Sequence, residues 1–266
     1  MASLRKLTEF VGVPPRENVS VCRDLLGFSA SHPPGALFRR RPAARVSMND
    51  FIRSFRRQHF HVRIINAGAD TMSSADEAAL DYAVYRLRDI YVNAGIGVGL
   101  ILRQRLTVAN SRGHDAITSL DGMVRAGADL TNDFPFIDAS GRTVDGDRTA
   151  LPVVIPANLL VPTTTPDGTV AFVAGHSPNP GPCENPGHGQ MRSSVVGIDG
   201  ESTGRTLAHE VGHFLGAPHP SPDGNTLMTQ SVNVAIDPFL AVGINDAQRR
   251  IMLGSCKIVP GLVGVV

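Results

Sequence analysis

The sequence has 266 residues, of which 42% are hydrophobic and 18% are charged, and its formal net charge at pH 7 is +1. This composition is typical of a globular protein and excludes a largely disordered chain. No stretch approaches the roughly 18 consecutive apolar residues of a membrane-spanning helix, and the first residues lack the apolar core of a secretory signal peptide. We therefore expect neither a membrane span nor secretion through a signal peptide.

The charge is unevenly distributed along the chain. Residues 1–57 contain eleven Lys or Arg and four Asp or Glu, whereas the remainder contains fourteen and twenty. The first segment thus carries +7 and the rest −6, which predicts a basic N-terminal extension that serves as a prosegment, a targeting segment or a linker. It could bind an anionic partner, dock on the acidic remainder or be a solvated linker. No nucleic-acid-binding motif is present, so we do not expect a nucleic-acid partner.

The next segment is predicted to form a strand, a helix and a second strand. Apolar residues within 60–68 favour a strand, and turn residues follow them. Ser74 and Glu77 have the spacing of a helix capping box, and apolar residues at helical intervals continue until Gly95 ends the helix. Residues 96–108 are predicted to form the second strand.

The middle of the chain is less regular. Residues 119–130 are predicted to form a short helix. Asp138, Asp145 and Asp147 could bind calcium through their carboxylates, but they do not follow a calcium-loop pattern, and turn formation is the other interpretation. Residues 150–162 form an apolar run typical of a buried strand, and their prolines predict an edge position or interrupted pairing.

A loop rich in Pro and Gly precedes the most informative part of the sequence. His176 and His188 in this loop could bind a second, structural zinc ion or could be mobile surface residues. Residues 191–199 are predicted to form an edge strand that leads into a helix. The N-terminal cap of that helix is expected to be Ser202 or Thr203.

Three histidines lie within residues 206–219, "TLAHEVGHFLGAPH". If this stretch is helical, His209 and His213 lie one turn apart on the same face, because residues at i and i+4 are neighbours on a helix. A catalytic zinc site typically has three protein ligands and one open position. Gly216 can adopt the left-handed conformation that ends a helix, which could bring His219 back to the same point.

The pattern "HEVGHFLGAPH" resembles the long zinc signature of the metzincin metallopeptidases, and Met228 stands where their methionine-containing turn is expected. The resemblance implies an α+β fold over residues 58–266. In such a fold, the N-terminal subdomain (58–216) contains a mixed twisted sheet and the zinc-binding helix. The C-terminal subdomain (217–266) is small and mainly irregular, with one helix.

The resemblance also implies a role for each residue of the motif. His209, His213 and His219 would bind one Zn²⁺, which makes hydroxide available near neutral pH. Glu210 would act as the general base in peptide-bond hydrolysis. Met228 would form a packing floor beneath the imidazoles and take no part in the chemistry.

The expected partner is a protein or peptide substrate. In metzincins an extended substrate adds itself to the strand just before the zinc-binding helix. The corresponding residues here are Ser194, Val195, Val196 and Gly197. Residues 231–239 are mostly small and apolar, which predicts an apolar substrate residue just after the cleaved bond.

The C-terminal region contributes a helix and a cysteine. The stretch "NDAQRRIML" is predicted to be helical, with Asn245 and Gln248 as a cap pair. Cys183 and Cys256 could form a disulfide between the loop and the C-terminus, although pairing cannot be read from sequence. Cys22 could hold an enzyme latent by binding its zinc, but its surroundings lack the motif of that switch, which favours an ordinary thiol.

Two features limit the assignment to the superfamily. Gln230 stands where some members have a metal-reaching tyrosine, and the residue after the third histidine is Pro220, so neither a matrixin-like nor a serralysin-like subfamily can be chosen.

Two alternatives to a simple zinc endopeptidase also stay open. One is a proteolytic effector or toxin that residues 1–57 deliver by a route without a signal peptide, and the other is a catalytically silent, zinc-containing peptide-binding module. Extracellular location is expected only by analogy with the family, and the oligomeric state is not predicted.

Overall fold

The computed structural model describes residues 57–133, 150–165, 168–183, 190–220, 226–230 and 241–261. Outside these ranges lie the following features predicted from the sequence: residues 1–56, Cys22, Asp138, Asp145, Asp147, His188 and residues 231–239. The predictions of a basic extension, a calcium site, a second zinc site and an apolar pocket wall therefore stay predictions.

The described residues form nine strands and four α-helices. The strands are β1 (His59–Ala67), β2 (Gly97–Leu106), β3 (Ala116–Ile117), β4 (Ala150–Pro156), β5 (Asn158–Leu159), β6 (Pro162–Thr164), β7 (Val170–Phe172), β8 (Gly175–His176) and β9 (Ser194–Val196). The helices are α1 (Ser74–Asn93), α2 (Leu120–Asp133), α3 (Thr203–Phe214) and α4 (Asp246–Leu253). None of the helices in these ranges is long and apolar enough to cross a membrane.

A five-stranded sheet with the order β2-β1-β4-β9-β8 organises the molecule. Strands β2, β1, β4 and β9 pair in parallel, whereas β8 runs antiparallel to β9. The parallel pairing of β1 with β2 follows from the intervening helix α1, since parallel neighbours need a crossover connection. The prediction of an α+β fold with a mixed sheet is confirmed.

Alternate residues of the sheet face two hydrophobic clusters. Phe60, Val62 and Ile64 of β1 belong to the cluster that also contains the apolar residues of α1 and α3. Ile65 and Ala67 face the opposite cluster, which includes the apolar residues of α2. This period of two is the geometry of a strand that is buried on both faces. The first of these clusters packs α3 against one side of the sheet.

Helix α1 is present as predicted, but its cap lies one residue earlier. The hydroxyl of Ser73 accepts from the backbone N–H of Asp76, and the Asp76 carboxylate accepts from the Ser73 backbone N–H. The prediction of a Ser74 and Glu77 cap was wrong because Glu77 has a different role. Its carboxylate is buried and pairs with two arginines of β2, Arg103 and Arg105.

Strand β4 lies inside the sheet, so the prediction of an edge position was wrong. All seven residues of β4 pair with β1, whereas only Val153 and Val154 pair with β9. The alternative prediction was interrupted pairing, and it describes how β4 pairs with β9. Only two residues of β4 take part in that pairing, and Pro152 and Pro156 lie on either side of them. A proline lacks the N–H that a ladder needs, which explains why this stretch is short.

Strand β9 forms at the predicted place, but it is not an edge strand. Gly175 and His176 of β8 pair with Val196 and Val195, and Ser194 and Val195 pair with β4 on the other side. Within the part of the chain that the structure describes, β8 is the outermost strand on this side. A strand of two residues has no sequence period, which is why it could not be predicted.

The C-terminal segment contains the predicted helix and returns to the sheet. Asn245 and Gln248 cap each other at the start of α4, as expected. Val259 then exchanges backbone hydrogen bonds with His59 at the beginning of β1. Cys183 and Cys256 form a disulfide, which joins the loop after β8 to the residues after α4.

We expect this disulfide to contribute substantially to stability. Cys183 and Cys256 are 73 residues apart in sequence, and in the chain-entropy model the loss of such a cross-link lowers the free energy of unfolding by about 4 kcal/mol. Urea unfolding of the Cys183→Ser/Cys256→Ser variant measures this loss. The same variant should not respond to a reductant, whereas the wild-type protein should. Equal stability of the two proteins would contradict the prediction.

Candidate metal centre

Helix α3 begins directly after a 3-10 turn, Gly200–Ser202. The predicted boundary is correct, but Ser202 makes no capping hydrogen bond through its side chain. Its hydroxyl instead donates to the backbone oxygen of Asp199, and the Thr203 hydroxyl accepts from the Asp199 backbone N–H at 2.8 Å. The preceding turn therefore takes the place of a side-chain cap.

The three histidines of the motif converge on one point. The Nε2 atoms of His209 and His213 on α3 are 3.1 Å apart. After the helix the chain reverses at Gly216, which has a φ of 98° that favours glycine. His219 is thereby brought back, and its Nε2 lies 2.9 Å from that of His213 and 3.3 Å from that of His209.

Two of the rings are oriented by backbone carbonyl groups. His209 Nδ1 lies 2.7 Å from the Leu227 oxygen, and His213 Nδ1 lies 2.8 Å from the Ala217 oxygen. A carbonyl can only accept, so each Nδ1 carries the proton and each Nε2 presents a lone pair. Such hydrogen bonds are a common outer shell of metal-ligating histidines, because they fix the tautomer and the ring orientation.

The convergence of these lone pairs fits a bound cation. Burial lowers the pKa of His209 to about 3 and that of His213 to about 4, so both rings are neutral at pH 7. Neutral imidazoles with their lone pairs directed at one another repel unless a cation lies between them. A tetrahedral zinc ion with bonds of about 2.0–2.1 Å places its ligand nitrogens about 3.3–3.4 Å apart, close to the spacing found here. The residues present therefore fit a metal ion.

Glu210 follows His209 in the chain and has a carboxyl group that is buried and incompletely hydrogen-bonded. Its Oε2 has no hydrogen-bond partner within the described residues. Burial raises the pKa of Glu210 to about 8, because desolvation disfavours the charged form. Strand β8 passes directly over this side chain: a Cβ added to Gly175 would lie 2.7 Å from Glu210 Cγ. Perturbed, buried carboxyl groups of this kind cluster at functional sites.

Met228 lies in a turn beneath α3, as predicted. It is fully buried, and a Cβ added to Gly212 would lie 2.5 Å from its sulfur. Gly212 stands between the two histidines of the helix, so its missing side chain lets the methionine pack against the helix backbone there. The turn also supplies the Leu227 oxygen that orients His209. Met228 thus supports the site through packing.

The four residues predicted to bind substrate are not available in the expected way. Ser194, Val195 and Val196 are fully buried. The Ser194 hydroxyl lies 2.8 Å from that of Ser177, and the Gly197 backbone N–H donates to the Ala174 oxygen. The prediction that these residues form the edge for an incoming peptide was wrong because β8 covers β9.

Three residues near the site were missed by sequence reasoning. Gly175 belongs to a strand too short to predict, and Asn179 lies in the loop after it. Arg205 stands four residues before His209, on the same helix face, and this spacing was the one signal available. His176, which was predicted with His188 as a possible ligand of a second zinc ion, lies on β8, and burial lowers its pKa.

The titration of these groups predicts a pH dependence for the metal-free protein. Unfolded histidines bind protons below their ordinary pKa of 6.5, whereas His209 and His213 do so only near 3 and 4. The unfolded state therefore binds more protons in that window, and stability should fall as the pH is lowered from 6.5 to 4. Glu210 acts oppositely: it stays protonated in the folded state up to about 8, against 4.5 when unfolded. Its contribution lowers stability as the pH rises from 4.5 to 8.

Because two histidines outweigh one carboxyl group below pH 6.5, these three groups together give maximal stability near that pH. Urea unfolding of the metal-free protein at pH 5, 6.5 and 8 measures the profile. Glu210→Gln should remove the decline between pH 6.5 and 8 and make the acidic limb steeper, because Glu210 opposes the two histidines from about pH 4.5 upward. An unaltered decline in this variant would assign it to other groups.

Comparisons with known proteins add a structural similarity. No protein-family model matches the sequence, and no curated protein matches it. Among solved structures, the chain is similar to metalloproteinase-II from Bacteroides fragilis, with 14% sequence identity and a TM-score of 0.47. The match covers 75% of this chain and 53% of that one, so this chain spans about half the length of that protein. The chemistry proposed below rests on the residues of this chain.

Proposed function

We propose that this chain is a zinc-dependent endopeptidase of metzincin type. One observation carries the proposal: three imidazole Nε2 atoms lie within 3.3 Å of one another, and the same segment contains a buried carboxyl group whose Oε2 has no hydrogen-bond partner within the described residues. Three imidazoles are a ligand set that suits zinc and leaves an open coordination position for water or substrate. The residues concerned are His209, His213, His219 and Glu210.

The chain's own residues have separate tasks in this reaction. The three imidazoles would hold zinc, which would supply a Lewis acid that makes water nucleophilic near neutral pH and polarises a carbonyl group. Glu210 accepts the proton of the attacking water and passes it to the amine that leaves. A dication nearby favours the ionised form of this carboxyl group, which offsets the effect of burial on its pKa. Gln230 provides no phenolic group, so the mechanism uses no tyrosine at that place.

The substrate is proposed to pair with β8 rather than with β9. An extended peptide can add to the outermost strand of a sheet through its backbone hydrogen bonds. Among the described residues, β8 is the outermost strand on the side of β9, and Gly175 within it lies against Glu210. A peptide on this edge would therefore pass beside the proposed base.

Gly175→Ala is expected to lower kcat up to about 100-fold, because displacement of a catalytic group by about 1 Å can have an effect of that size. The added Cβ would lie 2.8 Å from Glu210 Oε1. Zinc content should stay unchanged. Gly243→Ala is the control, since a Cβ there meets nothing within 4 Å. Unchanged peptide hydrolysis by Gly175→Ala would show that β8 does not constrain Glu210.

The proposal is tested by hydrolysis of a mixed fluorogenic peptide library. The purified protein should cleave the library, lose activity on removal of its metal by a chelator, and regain it on addition of one equivalent of Zn²⁺. Cleavage that persists without metal would contradict the proposal. A zinc-loaded protein that binds peptides without cleaving them would favour the silent binding module.

The disulfide supports a proposal about location. Bonds such as Cys183–Cys256 persist mainly in oxidising compartments. We propose that the protein acts in such a compartment. Labelling of free thiols in the native protein from its source cells should leave both cysteines unmodified, and modification of both would contradict this location.

A further inference from the structure

Arg205 is a buried cation that binds only backbone oxygens within the described residues. Its side chain lies at the start of α3 and donates to the oxygens of Ala241 at 3.0 Å, Thr229 at 2.8 Å and Leu227 at 3.1 Å. No carboxylate pairs with it in the part of the chain that the structure describes. Burial of a charge without a counter-ion is unfavourable, so these hydrogen bonds must compensate for the loss of solvent.

The Leu227 oxygen is the point at which Arg205 meets the metal centre. This oxygen accepts both from the Arg205 guanidinium and from His209 Nδ1, at 3.1 and 2.7 Å. A carbonyl oxygen has two lone pairs, so it can accept from both donors at once. Arg205 thereby holds the turn through the same Leu227 oxygen that accepts a hydrogen bond from His209.

The second oriented ring has the same arrangement. The Ala217 oxygen accepts from His213 Nδ1 at 2.8 Å and from the Asn179 side-chain amide at 3.2 Å. Asn179 lies in the loop after β8, whose far end is held by the Cys183–Cys256 disulfide. The two carbonyls that orient the candidate ligands thus each have a second side-chain donor.

We propose that Arg205 is a positioning residue for His209, because it holds the backbone carbonyl that orients this ring. Asn179 is the corresponding residue for His213. The inference rests on the proposed function in that it treats both imidazoles as metal ligands. Arg205 acts through a carbonyl alone, whereas the Asn179 amide nitrogen also lies 3.3 Å from His213 Nδ1. Neither residue is one of the three candidate ligands.

The two residues are expected to differ in the size of their effects. The Arg205 guanidinium is buried and binds several carbonyls at once, so its planar fork fixes the turn in one geometry. Asn179 is exposed and supports one carbonyl with a longer bond. Loss of an outer-shell partner typically weakens metal binding 10- to 100-fold. We expect about this loss for Arg205 and less than about 10-fold for Asn179.

The test compares Arg205→Met, Arg205→Lys and Asn179→Ala with a matched control, Arg249→Met. Arg249 also donates to a backbone oxygen, that of Ala94 at 2.8 Å, but it has no contact with the candidate centre among the described residues. Zn²⁺ affinity is measured by competition with a chromogenic chelator. In the metal-free proteins, nitrogen-15 NMR measures the fractions of His209 and of His213 that carry their proton on Nδ1.

Arg205→Met should bind Zn²⁺ about 10- to 100-fold more weakly and should mix the two tautomers of His209. Arg205→Lys should recover part of both properties, because an ammonium group can reach one carbonyl but not several. Arg249→Met should resemble the wild type. If Arg205→Met binds Zn²⁺ as tightly as Arg249→Met and keeps the tautomer, the proposal is wrong.

The test gives a clear result even if Arg205→Met does not fold or the protein cleaves no peptide. If Arg205→Met does not fold, Arg205→Lys and Asn179→Ala decide: wild-type affinity and tautomers in both would overturn the proposal. Neither readout involves hydrolysis. A wild-type protein that binds Zn²⁺ and responds to these substitutions but cleaves no peptide would therefore contradict the endopeptidase and support the positioning role.

Discussion

Glu210→Gln is expected to lower kcat for peptide hydrolysis by about 10²- to 10⁴-fold, the usual range for loss of a general base. Glutamine keeps the shape of the side chain but cannot accept the proton of the attacking water. The substitution leaves the three imidazoles and their carbonyl partners unchanged, so the protein should still bind one Zn²⁺. Steady-state kinetics with a fluorogenic peptide, together with metal analysis of both proteins, measures the effect.

The metal content makes the kinetic result interpretable. A variant that lost both activity and zinc would have lost the site rather than the base. Stability provides a second check, because Glu210 is a buried carboxyl group whose Oε2 has no partner within the described residues. Its replacement by the neutral amide should not lower the free energy of unfolding of the metal-free protein at pH 8. Substantial hydrolysis by a zinc-loaded Glu210→Gln protein would assign the base to another group.

His213→Ala is expected to weaken Zn²⁺ binding by more than about 100-fold, since loss of an outer-shell partner alone weakens it by up to that factor. His213 Nε2 is close to both other candidate ligands, at 3.1 and 2.9 Å. Its removal leaves two imidazoles, and activity should disappear with the metal. Equilibrium competition with a chelator measures the affinity, and circular dichroism reports whether the metal-free fold is kept.

His114→Ala is the matched control for this substitution. His114 pairs with Asp129 on α2 and belongs to no metal cluster among the described residues. Its removal should leave both zinc binding and hydrolysis unchanged. Equal losses in His114→Ala and His213→Ala would mean that the measured ion binds at scattered histidines and not at the proposed centre.

Local patterns in the sequence predicted much of this structure correctly. The helices α1, α2, α3 and α4 were all expected, because apolar spacing and cap residues are properties of neighbouring residues. The approach of His209 to His213 follows from helix geometry alone. The return of His219 was expected from Gly216, whose positive φ is a local property of the chain.

The predictions from the sequence were wrong where contacts between distant segments determine the structure. Glu77 satisfies the spacing of a cap, yet the arginines of β2 bind its carboxylate. β9 was expected at an edge, but two residues of β8, about twenty positions earlier in the chain, pair with it. The extent of pairing depends on which strands meet in space, and a two-residue strand carries no pattern of its own.

The sequence by itself determined which side chains of the candidate site can bind a metal, which carboxyl group is adjacent to them in the chain, and where the helix ends. These features depend on spacings within a few residues, which helix and turn geometry fix. Only the tertiary structure decided how the site is held. The carbonyl groups that orient His209 and His213, the supports from Arg205 and Asn179, and the position of Gly175 over Glu210 join residues far apart in sequence. Such contacts form only when the core packs, because the burial of apolar residues brings these segments together.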